Sequence, residues 1–244
     1  MPALTAKEKS SSRTGSNPVV TVAIPTLNAG EPLEACLRAL EAQTFRSFEI
    51  IVIDNSAKRI VKSAGDCGRV MYNNQNLGFG AAINQAYQAS EAPFLATLND
   101  DAQPDPKWLQ ALVGTAEKRP KAGMIASCVM LGTTGTLDSA GMLIAVDGSS
   151  KQRGHGELPA RFEKERDALL PSGSAALYRR AMLEEIDRLK RRFEDASAAV
   201  DQCDREQRFS GARRPTLLMY RVVCTDEDAG QWPGDDIGNL RIAL

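Results

Sequence analysis

The chain of 244 residues predicts an α/β fold with a mostly parallel central sheet flanked by helices. Three observations carry this expectation. Short, β-branched and nearly continuous apolar runs (Val19–Ile24, Phe48–Ile53, Ala92–Leu98) read as strands buried on both faces. Segments with helical apolar spacing separate them, which implies βαβ units and parallel pairing. Each run ends in a polar loop, and right-handed crossovers place the carboxyl ends of such strands on one edge of the sheet, where open α/β sheets bind ligands.

In chain order, Met1–Pro18 is polar, with no apolar stretch of a secretory signal, and reads as a disordered lead-in. Val19–Ile24 is the first strand and Pro25–Gly30 its turn. Glu31–Gln43 carries Leu33, Cys36, Leu37 and Leu40 at helical spacing. Phe48–Ile53 is the second strand, ending at Asp54-Asn55-Ser56, with a short helix expected over Ala57–Ala64. Arg69–Tyr72 is a third strand, Asn73–Gly80 a loop, Ala81–Ser90 a helix, Ala92–Leu98 the fourth strand and Pro106–Lys118 a further helix. Met124–Leu131 and Met142–Val146 read as strands of an extension, and Asp147–Lys164, polar and Gly-containing, as a mobile loop. Leu169–Tyr178 is a loop entering a strand, with Arg179-Arg180 after it. From Met182 to Cys203 apolar residues recur at alternating spacings of four and three. That pattern fits a single amphipathic helix packed on the sheet or a short coiled-coil seam for a homodimer. Leu217–Val223 is one further strand.

Composition narrows the function. Thirty basic residues face 31 acidic ones, so no global charge attracts nucleic acid. No apolar run reaches the roughly 18 residues of a membrane span. Five scattered cysteines without a CxxC point to reduced thiols in a cytosolic protein. His155 is the sole histidine, which removes any site needing two and leaves little room for a Ser-His-Asp triad.

The most informative stretch is Asn99-Asp100-Asp101-Ala102, directly after the fourth strand. Two adjacent carboxylates at a sheet edge repel each other unless a cation lies between them, and a divalent metal carrying a diphosphate is one such cation. The alternative is a helix start, since Asn and Asp cap helices well. Convergence of this loop with Pro25–Gly30, Asp54–Ser56 and Asn73–Gly80 favours a site over independent caps.

These segments together resemble family 2 glycosyltransferases. Val20–Asn28 is similar to their opening strand, Ile51–Ser56 to their second strand with its nucleotide-binding Asp, and Asn76–Asn84 to the Asn-x-Gly-Phe-x-x-x-x-Asn segment of the rhamnosyltransferase-like branch. Asn99–Ala102 falls at the DxD-type metal motif, and Ser172–Arg180 resembles the later acceptor-side segment. The resemblance implies a GT-A (Rossmann-like) nucleotide-diphospho-sugar transferase fold, a nucleotide-diphosphate sugar as donor with dTDP-rhamnose the suggested one, and Mg²⁺ or Mn²⁺. It further implies a glycan or lipid-linked acceptor in cell-surface polysaccharide synthesis, at a cytoplasmic location on the inner face of the plasma membrane with peripheral membrane association. Asp101 is the expected metal ligand, with Asn99 and Asp100 beside it. Asp54 would accept a hydrogen bond from the base or ribose, or cap the expected Ala57 helix. Pro25, Thr26 and Asn28 would shape the wall around the base. Gly78 and Gly80 would allow close backbone approach. Asn76 and Asn84 would bond donor hydroxyls or tie the loop, and Gly173 and Ser174 lie on the acceptor side.

The resemblance runs from Val19 to Ile186, so residues 19–186 form the expected transferase-like domain and 187–244 a divergent tail that begins with the amphipathic helix. Relatives carry a Gly-Gly-Phe-Asp-Glu-type turn and then an acidic pair that supplies the general base inverting transfer needs. Here Leu183-Glu184-Glu185-Ile186 leads into Asp187–Arg192 instead, and Asp226-Glu227-Asp228 comes late and without the surrounding pattern. A frame shift or truncation, a replacement module, or a donor-binding protein without transferase activity would each account for this. No residue is assigned as the base.

Overall fold

A computed structural model describes residues 17–147, 149–162, 166–187, 221–225 and 240–243. The first half follows the predicted alternation: β1 (Val20–Thr26), α1 (Glu31–Glu41), β2 (Phe48–Asp54), β3 (Gly68–Tyr72), α2 (Phe79–Gln88), β4 (Phe94–Leu98), β5 (Ala102–Pro104) and α3 (Trp108–Lys118). The second half contains β6 (Ala122–Leu131), β7 (Leu137–Ser139), β8 (Met142–Ile144), β9 (Ser150–Gln152), β10 (Arg166–Ala168), β11 (Ala175–Arg179), β12 (Arg221–Thr225) and β13 (Leu240–Ala243). Residues 180–187 continue from β11 as helix.

The main sheet runs β10-β12-β6-β11-β4-β1-β2-β3. Its β4-β1-β2-β3 portion is entirely parallel, with Val20 opposite both Phe48 and Phe94. Beyond β4 it becomes mixed, because β11 lies antiparallel between β4 and β6. Side chains alternate across the sheet with the period of two that strands impose. Val20, Val22, Ile24, Ile50, Val52, Ala96 and Leu98 meet Leu33, Cys36 and Leu40 of α1 and Trp108, Leu109 and Leu112 of α3. Ala23, Ile51, Ile53 and Leu95 face the other way, onto Ala82 and Ala86 of α2 and Leu183 of the 180–187 helix. The sheet is therefore covered on both faces, which explains why its strands read as continuous apolar runs rather than alternating ones. Among the described residues no helix is long and apolar enough to cross a membrane.

Two local expectations fail. No helix forms over Ala57–Ala64. The Asp54 carboxylate instead takes the N–H groups of Ser56 (2.9 Å) and Val61 (3.0 Å), offering the backbone partners other than a helical ladder. Ala57 and Arg59 then adopt positive φ, which no helix tolerates. The stretch expected as a mobile loop, Asp147–Lys164, includes strand β9, which pairs with β8, and a 3₁₀ turn at Pro159–Arg161. Its backbone is fastened to β7 by Leu137 N–H to Glu157 O and Gly156 N–H to Leu137 O. The amphipathic Met182–Cys203 segment begins as helix, but beyond Asp187 it lies outside the described residues, as do Asp226–Asp228 and residues 1–16.

Candidate functional site

The polar loops at the carboxyl ends of β1, β2, β3 and β4 are joined to one another by hydrogen bonds. Asn55 N–H donates to Thr26 O at 2.8 Å and Asn73 N–H to Asp54 O at 2.9 Å, extending the parallel ladder past the strands. The Thr26 hydroxyl donates to Asp100 Oδ2 at 2.5 Å and accepts the Ala29 N–H at 3.0 Å. Asn99 N–H donates to Ser174 O at 2.9 Å, bringing the loop before β11 to the same edge. The ring of Phe79, the first residue of α2, lies about one van der Waals contact from where a side chain on Gly173 would begin (3.5 Å). Thr26, Asp54, Asp100, Gly78, Asn99 and Ser174 thus belong to one bonded edge, with Gly173 next to Ser174 and facing the Phe79 ring. Pro25 is half-buried at the end of β1, and Asn28 is exposed in the turn that follows. Asn84 is not part of this edge. It stands on the exposed face of α2, about 9 Å along the helix from Gly78.

The Asn99–Asp101 segment is a turn running into β5, not the start of a helix, so the helix-cap alternative falls away. Both carboxylates are half-buried. Burial, then the neighbouring charge of Asp101, raises the Asp100 pKa, and the bond from Thr26 opposes the rise without cancelling it. Asp101 Oδ1 is buried and has no hydrogen-bond partner. A buried acceptor left unpaired is costly, and beside a second carboxylate it is the atom a cation would satisfy. Beneath the pair lies buried Cys36, whose thiol donates to Asn99 O at 3.6 Å. Burial and the two Asp charges push its pKa up, which keeps it a neutral thiol. Among the described residues no group of three or more His, Cys, Asp or Glu side chains is placed to hold a metal. Asp100 and Asp101 therefore fit Mg²⁺ or Mn²⁺ only where phosphate oxygens and water complete the coordination, which is how Mg²⁺ is commonly held.

Asp54 is in a different condition. It is almost fully buried, and both of its oxygens accept bonds from its own loop, Oδ1 from Ser56 N–H and Oγ and Oδ2 from Val61 N–H. Burial works against its charge, yet the bonds from Ser56, Val61 and Ile60 prevail and lower its pKa. Asn76 accepts the Gly78 N–H at 2.8 Å and so ties its loop. Gly78 stands at φ 80° with open space around the missing side chain, a conformation that only glycine takes at little cost. Arg179 and Arg180, within the segment that resembles the acceptor side, turn away from the edge. Arg179 donates to Ala116 O and Ala122 O around the end of α3 and stacks on Phe94 (5.1 Å). Arg180 donates to the Tyr87, Ser90 and Ala92 carbonyls after α2 and stacks on Tyr87 (4.5 Å). Both satisfy carbonyls that a helix end leaves unpaired. Sequence reasoning assigned nothing to Asn55, Asn73 and Gln85, three amides hydrogen-bonded to one another behind this edge.

The acid pair lies at the carboxyl edge of a parallel sheet, the place where open α/β sheets bind their ligands. The comparison with known sequences makes the class specific: the profile of Glycosyl transferase family 2 matches residues 21–187, and the chain belongs to that family. It is 31% identical over 111 residues to Glycosyltransferase AglE of Haloferax volcanii, covering 42% of this chain and 36% of the relative. To the O-antigen biosynthesis protein RfbC of Myxococcus xanthus it is 25% identical over 226 residues, 85% of this chain and 17% of the relative. The chain thus spans about a third or less of the length of these two relatives. Among solved structures, the mannosyltransferase PcManGT of Pyrobaculum calidifontis, in complex with GDP-Man and Mn²⁺, superposes with a TM-score of 0.49 at 18% identity, over 70% of this chain and 47% of that one. S. aureus TarS (residues 1–349) does so at 0.49 and 18%, over 69% and 49%.

Proposed function

We propose that the chain binds a nucleotide-diphosphate sugar at this edge and transfers the sugar, with inversion, to a glycan or lipid-linked acceptor in cell-surface polysaccharide synthesis. Family membership and the O-antigen relative support the class of reaction. The observation that carries the site is the unpaired, buried Oδ1 of Asp101 next to Asp100. In this reading Asp101, with Asp100 held by Thr26, carries Mg²⁺ or Mn²⁺ against the diphosphate. The metal, when bound, neutralises the charge growing on the leaving diphosphate. Pro25, Asn28 and the loop organised by Asp54 form the wall around the base. Asn76, Gly78 and Asn99 border the donor, and Gly173 and Ser174 the acceptor. The donor we favour is dTDP-rhamnose. Residues 19–186 form the transferase domain, the divergent tail 187–244 adds β12 and β13 to its sheets, and a homodimer would form through the Met182–Cys203 segment. With a lipid-linked acceptor the protein works at the cytoplasmic face of the plasma membrane, attached peripherally.

One specific observation favours a second reading, a nucleotide-sugar-binding or assembly protein impaired in catalysis: the residues after Ile186 lack the Phe-Asp-Glu turn and acidic pair that supply a base in relatives. Nucleotide release from a panel of donors, with and without acceptor and Mn²⁺, separates the two. Acceptor-dependent release supports transfer, and binding without release supports the second reading. In calorimetry Asp101→Ala is expected to weaken Mn²⁺-dependent donor binding by about a hundredfold or more, roughly 2.7 kcal/mol. Unchanged binding would remove Asp101 from the site.

A further inference from the structure

Behind the Gly78 turn lies a relay of amides. Asn55, at the end of β2, and Asn73, just after β3, are both buried, and Gln85 reaches them from the middle of α2. Asn73 and Gln85 bond reciprocally, Nδ2 to Oε1 at 2.9 Å and Nε2 to Oδ1 at 2.8 Å. Asn73 Nδ2 also donates to Asn55 Oδ1 at 2.6 Å, and Asn55 Nδ2 donates to Gly78 O at 3.3 Å. That carbonyl accepts the first helical N–H of α2, from Ala82, at 3.2 Å. Each amide group in the chain of contacts is committed, and the chain ends on one atom, the N-cap carbonyl of the helix beside the donor edge.

We propose that Asn55, Asn73 and Gln85 are positioning residues that set the first turn of α2 against the Ser172–Ser174 loop and so fix the spacing between the two; this rests on the reading of that edge as a donor site. The rest of α2 has its own anchors, with Ala82 and Ala86 on the sheet and Arg180 holding the carbonyls at its far end. Its packing on the sheet comes from Ala82 and Ala86 with Ile83 and Tyr87 partly buried beside them, non-directional contacts that permit sliding and tilting more readily than hydrogen bonds do. Directional hydrogen bonds to Gly78 O supply that resistance at the end where Phe79 meets Gly173. A network serving only stability would as readily be apolar, since burial of amides gains little over well-packed methyl groups.

The test is residue-resolved amide exchange together with binding of dTDP in the presence of Mn²⁺, on the full chain. Gln85→Met keeps side-chain length and helix propensity while removing both reciprocal bonds. Asn55→Ala removes the link to Gly78 O and leaves the Asn73–Gln85 pair, so one variant remains informative if the other fails to fold. In both, exchange at the Ala82 amide is expected to rise about tenfold while Ala89, at the other end of the helix, stays within about twofold, and the dTDP Kd is expected to rise about tenfold. Unchanged exchange at Ala82 overturns the proposal, as does a parallel rise at Ala82 and Ala89, which would mark a general loss of stability. A wild-type protein that binds neither dTDP nor any other nucleoside diphosphate overturns the donor-site reading itself, and the exchange comparison still decides whether the network orders the turn.

Discussion

Asp54, at the end of β2, and the Asp100–Asp101 pair, after β4, stand on one edge with β1 between them, yet their carboxylates are in opposite states. Asp54 is buried and saturated: both oxygens accept bonds from Ser56 and Val61, and the balance favours its charge. Asp100 is bonded only in part and disfavours its charge, while Asp101 keeps a buried oxygen with no partner. The difference separates two uses of an acidic side chain. A carboxylate consumed by its own loop shapes a surface, whereas one left wanting a partner is held in reserve for a ligand. By this criterion the proposed site centres on the β4 side, and Asp54 shapes its own loop on the β2 side.

The contrast can be broken most forcefully at Asp54. Asp54→Ala leaves the N–H groups of Ser56 and Val61 without their charged acceptor and is expected to cost about 3 kcal/mol, or roughly 6–12 °C in Tm for a chain of this size. Asp101→Ala is expected to stay within about 0.5 kcal/mol of wild type in the same urea titration. Equal losses in the two variants would erase the distinction. A smaller effect belongs to Thr26, which donates to Asp100. Thr26→Val is expected to weaken Mn²⁺-dependent binding of a nucleoside diphosphate by about tenfold, because the unsupported carboxylate is charged and oriented less often. Calorimetry with affinity unchanged would show that Asp100 needs no help from β1.

The smallest effect is in the pH dependence of stability, where the two sites carry opposite signs. The lowered pKa of Asp54 gives stability that is present above its unfolded value, about 3.9, and lost as pH falls through the folded value. The raised pKa of Asp100 gives stability that is full below the unfolded value and lost as pH rises through the folded one. Asp100→Asn should therefore flatten the gain in stability on acidification from neutral pH towards pH 4, and Asp54→Asn the loss below it. Urea midpoints measured from pH 7 to pH 3 check both slopes, and identical profiles for the two variants would contradict the assignment.

Much of the frame was legible because buried parallel strands leave an unambiguous trace. Val20–Ile24, Phe48–Ile53 and Phe94–Leu98 face apolar neighbours on both sides, so they admit few polar residues. Helix α1 was equally plain from Leu33, Cys36 and Leu40. What escaped was decided by side chains far apart in sequence or by polar groups acting locally. The Ala57–Ala64 stretch has the composition of a helix, and the Asp54 carboxylate overrides it. Asn73 and Gln85 look like ordinary solvated amides until the fold places them 12 residues apart in sequence but in contact. Arg179 and Arg180 lie in a segment that resembles an acceptor-side motif, yet their guanidinium groups serve helix ends 63 and 93 residues earlier in sequence.

Strand β4 is where parallel pairing gives way to antiparallel, with β1 on one side and β11 on the other. The five-residue register from Ala175↔Leu98 to Arg179↔Phe94, prolonged by Asn99 N–H to Ser174 O, is the seam at which the loops proposed for donor and acceptor meet. A seam of this kind is a natural unit of exchange. Backbone pairing carries no side-chain code, so a segment equivalent to Ala122–Arg180 grafted from another family member needs to match β4, the partner strands β12 and β13, and the carbonyls that the two arginines hold. Chimaeras cut on either side of that strand would inherit donor preference from one parent and acceptor preference from the other, which turns a topological switch into a practical cloning boundary.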